Sequence, residues 1–169
     1  MTEAPRLQPD GRLALTGGLC LTLQRTFAED WHPDGDRPAR SHARLAFAYG
    51  PRGVGYAIPI LPQEHVWIGL EPPTPPTRFE ITLRSPGGDT VLTRVCPPDF
   101  AIKGMPVGRD YRPFAAGDVV TLRIRDLRAT EAVDLPLLAC PVDQVFDLGL
   151  RAGIAPLDRR RGFSGVRLP

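Results

Sequence analysis

The sequence has few of the residues that usually build a catalytic or metal centre. Its 169 residues include only three cysteines and three histidines. The cysteines are widely spaced and form no C-x-x-C pair, which argues against a disulfide framework and against a zinc site. A nucleophile elbow, a phosphate-binding glycine loop and an H-E-x-x-H motif are all missing. We therefore expect free thiols, no cofactor and no recognisable catalytic constellation.

Long hydrophobic runs are missing too. No uninterrupted apolar stretch approaches the length of a membrane span, and residues 1–10 lack the apolar core of a secretory signal. Hydrophobic residues make up 42% of the chain and charged residues 24%. These are ordinary values for a folded protein and argue against wholesale disorder. We expect a cytoplasmic protein with no membrane span.

The chain has no large excess of charge and almost no lysine. Its formal net charge is +2, which is too small to indicate nucleic-acid binding. Lys103 is the single lysine and all other basic residues are arginines, a skew that we attribute to coding bias. We expect one β-rich domain over residues 1–154, followed by a basic tail, residues 155–169. The arginine run in this tail, residues 159–161, has no interleaved aromatics, which argues further against nucleic acid.

Proline and glycine, by contrast, are abundant, with 20 and 17 residues. They show no repeat period and instead separate short runs in which apolar and polar residues alternate, as in half-buried strands. Leu19, Leu21 and Leu23 form one such run. About seven or eight short strands are predicted in this way. The predicted fold class is all-β, as an antiparallel β-sandwich or a partly open barrel, with one short C-terminal helix.

Two hairpins and one crossing are predicted from particular segments. Residues 45–49 and 54–60 alternate on either side of a Gly/Pro turn, which predicts a hairpin. Residues 79–96 contain a second hairpin around the turn Ser85-Pro-Gly-Gly-Asp89. The proline-rich segment 71–77 is stiff and extended, and we expect it to join two sheets rather than two subdomains.

The second half of the chain is harder to interpret. Residues 97–117 are rich in proline and glycine and are predicted to be irregular. Residues 128–140 have no assignment. Residues 141–150 place apolar side chains at helical spacing after a proline, which predicts the one short helix.

The most apolar long stretch, residues 54–70, is predicted to form two strands with Pro59 and Pro62 at the bend between them. In the second of these strands, His65 and Trp67 lie on the face opposite the apolar residues. If that face is exposed, it is the first choice for a binding surface. If both side chains are packed under the second sheet, the segment is only core.

Five side chains are predicted to contact a ligand. A tryptophan combines a large apolar face with one polar N–H, which suits a binding site. Two arginines on one strand face, next to a threonine, suit an anion, although a solvated sheet face is the commoner explanation. The predicted binding residues are Trp67, His65, Trp31, Arg123 and Arg125.

A loop rich in aspartate supplies weaker candidates for a metal site, because carboxylates and imidazoles are metal ligands. Its spacing matches part of the calcium-loop pattern. However, His32 and Ser41 stand where that pattern has an Asp or Asn and a Glu, and an ordinary turn explains the composition. The candidate ligands are Asp30, His32, Asp34 and Asp36.

Two further arrangements remain open at this stage. Glu64 beside His65 suggests acid–base or metal chemistry, but adjacent strand residues point to opposite faces. A thiol site would require distant residues to meet, and no local signature surrounds any cysteine. The residues of such a site would be Cys96, Asp99, His42 and His65.

The leading hypothesis is a non-enzymatic binding or assembly module that recognises a partner through an exposed sheet face. We expect a protein partner or a homo-oligomer first and a carbohydrate second. The alternative is a small metal-dependent enzyme or metal-binding protein that uses His65, Glu64 and the loop Asp30–Asp36. A third hypothesis, anion or nucleic-acid binding through the arginines, requires affinity that falls steeply with salt.

Overall fold

The structure is a computed structural model that describes residues 3–53, 55–145, 154 and 156–158. This part of the chain is all-β, as the alternating runs predict. It contains fourteen strands rather than seven or eight, because half of them have only two or three residues. The strands are β1 (Arg6–Leu7), β2 (Leu13–Ala14), β3 (Cys20–Phe27), β4 (Ala43–Leu45), β5 (Ala48–Tyr49), β6 (Tyr56–Ile60), β7 (Glu64–Glu71), β8 (Phe79–Arg84), β9 (Thr90–Cys96), β10 (Ala101–Ile102), β11 (Met105–Val107), β12 (Asp110–Arg112), β13 (Val119–Asp126) and β14 (Ala132–Pro141).

The first sheet is built on two long antiparallel strands, β3 and β7. They pair along their whole length, from Cys20 opposite Glu71 to Phe27 opposite Glu64. The order is β1-β2-β3-β7-β10, and β4 shares the β2 side of β3. β10 is therefore the strand at one edge of this sheet, and it has only two residues.

The second sheet has the order β5-β6-β14-β13-β8-β9. The predicted hairpins are present as β5–β6 and β8–β9, both antiparallel. The expectation of purely antiparallel pairing is wrong at one place, because β6 and β14 run parallel. These two strands are far apart in the chain, and a parallel pair requires such a long connection.

The predicted strand over residues 45–49 is divided between the two sheets. β4 pairs with β3 in the first sheet, whereas β5 pairs with β6 in the second. Phe47, between them, is buried in the core. The alternation of residues 45–49 is therefore real, but it continues across a change of sheet that periodicity alone does not reveal.

One hydrophobic core lies between the two six-stranded sheets. Leu21, Leu23 and Ile68 from the first sheet meet Ile81 and Leu122 from the second, and all five are fully buried in one cluster. Burying a side chain of this size contributes about 1.5–3 kcal/mol. The architecture is thus a sandwich of two open sheets, with β11 and β12 forming a small separate hairpin.

The proline-rich segment 71–77 crosses from the first sheet to the second, since β7 belongs to one and β8 to the other. A second crossing joins β9, at the edge of the second sheet, to β10, at the edge of the first. Residues 97–117 are accordingly less irregular than predicted, because they contain β10, β11 and β12.

The prediction of a helix from Pro141 is wrong at its start. Pro141 is the last residue of β14, and Val142–Gln144 form a single 3₁₀ turn. The strand continues because Leu137 to Pro141 pair with β6 on one side. Residues 146–150 of the predicted helix, and most of the predicted basic tail, lie outside the described residues. None of the helical turns that the structure describes has the length and apolar character needed to span a bilayer.

Candidate functional site

The outer face of the first sheet is partly covered, by a loop and not by the second sheet. His65, Trp67 and Gly69 of β7 lie opposite Thr26, Gln24 and Thr22 of β3 on this face. The three β3 residues are buried, and His65 and Trp67 are half-buried. The loop between β3 and β4 folds back over this face, as the contacts below show. The alternation of a strand shows which side chains share a face, but it does not show whether a distant loop packs on that face.

Trp31 and Ser41 attach the two ends of this loop to the sheet. The indole of Trp31 meets the imidazole of His65 edge-on, with ring centroids 5.6 Å apart. The hydroxyl of Ser41 donates to the side-chain oxygen of Gln24 at 2.7 Å. Burial lowers the pKa of His65, because the surroundings disfavour the charged imidazolium. Two of the predicted binding residues, Trp31 and His65, thus contact each other.

Lys103 holds the middle of the loop. Its side chain follows β10 and is 2% exposed. Its ammonium donates to the backbone carbonyls of Asp34 at 2.8 Å and Gly35 at 3.1 Å. It also lies 5.2 Å from the ring centre of Trp31 and 5.8 Å from that of Tyr111. Two carbonyl dipoles and two ring faces therefore replace the water that a lysine normally requires.

Asp36, Arg94 and Tyr111 form a second brace, next to the Lys103 contacts in the middle of the loop. Oδ1 of Asp36 accepts hydrogen bonds from Nη2 of Arg94 at 2.6 Å and from the Tyr111 hydroxyl at 2.5 Å. The Tyr111 hydroxyl in turn accepts from Arg94 at 2.5 Å. Burial and the Asp36 hydrogen bond raise the pKa of Tyr111. This brace joins the loop to β9, which precedes the β9–β10 crossing, and to β12, which follows it.

An open cleft of about 520 Å³ lies between this braced loop and the β9–β10 crossing. Its lining comprises residues 36–38, Trp67, Arg94 and residues 98–101. Phe100 is 54% exposed, which is unusual for a phenylalanine. The cleft volume is within the range of small-ligand sites. We call this feature the aromatic cleft.

The indole N–H of Trp67 is the one polar atom of the aromatic cleft that is buried and has no hydrogen-bond partner among the described residues. Leaving such a donor unsatisfied costs about 1–3 kcal/mol. Trp67 stands on β7 opposite Gln24 of β3, and the next two residues of β7 pair with β10. The unpaired indole N–H is therefore a buried donor on a residue that also lines the open cleft.

Glu64 and His65 do not converge, since they lie on opposite faces of β7. Glu64 is buried on the core side, where Arg25 donates to both of its oxygens at 2.7 and 2.8 Å. The backbone N–H of Leu157 donates to the same carboxylate at 2.7 Å. The role of Glu64 in this geometry is structural: it binds Arg25 and holds the segment around Leu157.

The four predicted metal ligands do not form a cluster. Asp30 faces His42, with 3.4 Å between Oδ2 and Nε2, whereas Asp36 belongs to the brace. Asp34 contributes its backbone carbonyl to Lys103, and His32 is exposed. Within the described ranges, no group of three or more His, Cys, Asp or Glu side chains is placed to hold a metal ion.

Arg123 and Arg125 lie elsewhere, on the outer face of the second sheet. Each faces a carboxylate on a neighbouring strand: Arg123 is 3.1 Å from Asp134 and Arg125 is 3.0 Å from Glu80. These two predicted binding residues are not part of the aromatic cleft. Cross-strand ion pairs of this kind are typical of a solvated sheet face.

The thiol site does not assemble either. Cys96 is fully buried in the core, and burial raises the pKa of its thiol to about 11. His42 instead packs edge-on against Phe27, with ring centroids 4.6 Å apart. A thiol that stays protonated at neutral pH is a poor nucleophile and a poor metal ligand.

Sequence reasoning found Trp31, His65, Trp67 and, as a metal candidate, Asp36, but it missed the other residues of the site. Lys103 carried one usable signal, because the single lysine of the chain stands directly after the apolar run Phe100-Ala-Ile. The remaining contacts join residues far apart in sequence and left no local signal. The missed residues are Arg94, Phe100, Lys103 and Tyr111.

The chain matches no protein-family model, no curated protein sequence and no solved structure.

Proposed function

We propose that this protein is a non-enzymatic binding module that holds its ligand in the aromatic cleft. The observation that carries the proposal is the unpartnered indole N–H of Trp67 beside an open cleft. The N–H is buried, so a ligand acceptor reaches it when the Trp67 side chain turns toward the cleft, and the new hydrogen bond then removes the cost of the unsatisfied donor. The exposed ring of Phe100 adds apolar surface on which a ligand can pack.

The loop wall of the aromatic cleft supports the proposal, because hydrogen bonds hold the loop in place without a ligand. Four hydrogen bonds from Lys103, Arg94 and Tyr111 reach the loop, and a fifth joins Arg94 to Tyr111. A preformed site loses less conformational entropy on binding than a mobile one. Function in this proposal is recognition, and the partner is a carbohydrate or a segment of a protein, including a second copy of the chain.

The experiment is a binding screen of the full chain with matched variants. The purified protein is applied to a glycan array and to a library of displayed peptides. We expect binding on one of the two, and we expect Phe100→Ala to weaken it. Tyr49→Ala is the control, since Tyr49 is a 44% exposed aromatic residue on the second sheet.

Two results would count against the proposal. One is the absence of specific binding on both surfaces. The other is a bound ligand whose affinity falls with Tyr49→Ala and is unchanged by Phe100→Ala. Either would mean that the aromatic cleft is not a recognition site.

A further inference from the structure

We propose that the ligand of the aromatic cleft is a neutral, hydroxyl-rich saccharide. This inference rests on the proposed function, because it names the ligand class of the same site. It depends on three properties of the cleft: the balance of its charges, the placement of its rings, and the small amount of backbone that it offers.

The charges of the aromatic cleft cancel. Two carboxylates, Asp36 and Asp99, and two guanidinium groups, Arg37 and Arg94, are among its lining residues. Their formal sum is zero, so that the cleft has no net attraction for an anion or a cation. Carboxylates accept hydrogen bonds and guanidinium groups donate them. A hydroxyl does both, and neighbouring hydroxyls of a sugar can therefore use both kinds of group at once.

The rings suit the other part of a sugar. Trp67 is half-buried in the cleft and Phe100 stands on its wall with half of its surface exposed. A pyranose has apolar C–H faces that pack on aromatic rings, while its oxygens remain at the rim to make hydrogen bonds. The indole N–H of Trp67 needs an acceptor, and hydroxyl and ring oxygens are acceptors.

A peptide that extends a sheet fits this place less well. Such a peptide obtains its affinity from a row of main-chain hydrogen bonds to an exposed edge strand. Two edge strands contribute to the aromatic cleft: β10, which has only two residues, and the seven-residue β9. β10 is too short to hold an added strand, and Arg94 is the one residue of β9 in the lining. The cleft therefore offers mainly side chains, which favours the saccharide over an added strand.

The test is calorimetric titration of the full chain with three kinds of probe. The first is a set of neutral gluco-, manno-, galacto- and xylo-tetraoses. The second is a charged saccharide, an oligogalacturonate. The third is a proline-rich peptide with the sequence of residues 70–78. We expect at least one neutral tetraose to bind, with an affinity that does not change between low and high salt, because no net charge is neutralised.

Variants locate the binding. We expect Phe100→Ala to weaken the neutral saccharide about tenfold, which corresponds to the loss of one stacked ring. Trp67→Phe keeps a ring and removes the N–H, and we expect a similar loss. Tyr49→Ala is expected to leave the affinity unchanged. Because the Phe100 side chain is exposed, its truncation should disturb folding least among these variants. Near-ultraviolet circular dichroism checks that each variant is folded.

The outcomes separate this inference from the proposed function. Binding of the peptide or of the oligogalacturonate alone, lost in Phe100→Ala, would overturn the saccharide assignment and leave a binding module. Neutral saccharide binding that is unaffected by both cleft variants would overturn the assignment of the site. Failure of all three probes, together with empty array and library screens, would overturn both.

Discussion

Lys103 provides the sharpest test of how the site is held. The perturbation is Lys103→Met, which keeps the length and most of the volume of the side chain and removes its charge and donors. Lys103 is 2% exposed and donates to two carbonyls, which become unpaired in the variant. The same substitution removes the ammonium from the rings of Trp31 and Tyr111.

The magnitude follows from these contacts. A hydrogen bond from a charged group contributes about 1.5–3 kcal/mol. The lower value applies here, because Asp34 and Gly35 are exposed and water can reach their carbonyls. Two such bonds contribute about 3 kcal/mol, and the cation–π contacts add about 1 kcal/mol. Removing the ammonium also removes its desolvation penalty, which stabilises the variant by about 2 kcal/mol. The expected net loss in the free energy of unfolding is therefore about 2 kcal/mol.

Two assays read this change. Urea unfolding monitored by tryptophan fluorescence measures the stability, with a slope that should be the same in wild type and variant. Limited trypsin digestion measures the loop, because the exposed Arg40 lies within it and should be cut faster once Lys103 no longer holds it. The control is Arg123→Met, which removes a surface ion pair and is expected to cost less than about 1 kcal/mol.

A stability loss below about 0.5 kcal/mol, together with an unchanged rate of cleavage at Arg40, would refute the reasoning. Such a result would mean that the free energy gained from the carbonyl and ring contacts of the Lys103 ammonium is no larger than its desolvation penalty. The loop would then be held by the Asp36 brace and by the sheet-face contacts alone.

Three further predictions follow from buried polar groups. Glu64→Gln removes the carboxylate charge that Arg25 and the backbone N–H of Leu157 contact and should cost about 1–3 kcal/mol in urea unfolding, whereas replacing both Glu64 and Arg25 by apolar residues should restore most of this stability; an unchanged free energy of unfolding in the single variant would contradict the structural role of the pair. The pKa of His65 is lowered from 6.5 by burial, so the unfolded chain binds a proton first as pH falls below 6.5, and stability should decrease from there down to the folded pKa; in His65→Gln this part of the pH dependence should be missing, and an identical pH profile would disprove it. Burial raises the pKa of Cys96 to about 11, whereas Cys20 is partly exposed, so a thiol reagent at pH 8 should label Cys20 first and Cys96 only after unfolding; rapid native labelling of Cys96, read by mass spectrometry, is the contrary result.

Much of the fold could be predicted because strand alternation is a local property. Residues 79–84 and 120–125 alternate between apolar and polar side chains, and in residues 64–71 the apolar Val66, Ile68 and Leu70 share one face. Each segment lies in a strand whose apolar face is in the core. Their periodicity is imposed by the pleat, since side chains point alternately to the two faces. The pattern was less informative for β14, which has an apolar run in its second half. β14 lies between two strands, β13 and β6, and its second half is a continuous apolar run. Periodicity alone does not distinguish such a run from a buried helix segment.

The pairing partners of the strands could not be predicted from the sequence, because pairing is not a local property. The parallel pairing of β6 with β14, and the change of sheet between β4 and β5, depend on which segments meet after the chain has folded. Periodicity identifies the face of a strand that is buried, but it carries no information about the neighbouring strand.

The sequence by itself predicted that this is an all-β protein, which the described part of the chain confirms. It also singled out Trp31, His65 and Trp67 as binding side chains, which stays a prediction. It also determined that Glu64 and His65 point to opposite faces, because that follows from the geometry of a single strand. Only the tertiary structure decided that Trp31 of the β3–β4 loop meets His65 of β7, and that Trp67 lies beside the same loop. It also decided that Arg123 and Arg125 lie apart from them in surface ion pairs. The physical reason is the distance along the chain over which each interaction acts. The pleat relates adjacent residues, whereas Lys103, Arg94 and Tyr111 hold the loop through contacts with residues 58 to 75 positions away in the sequence.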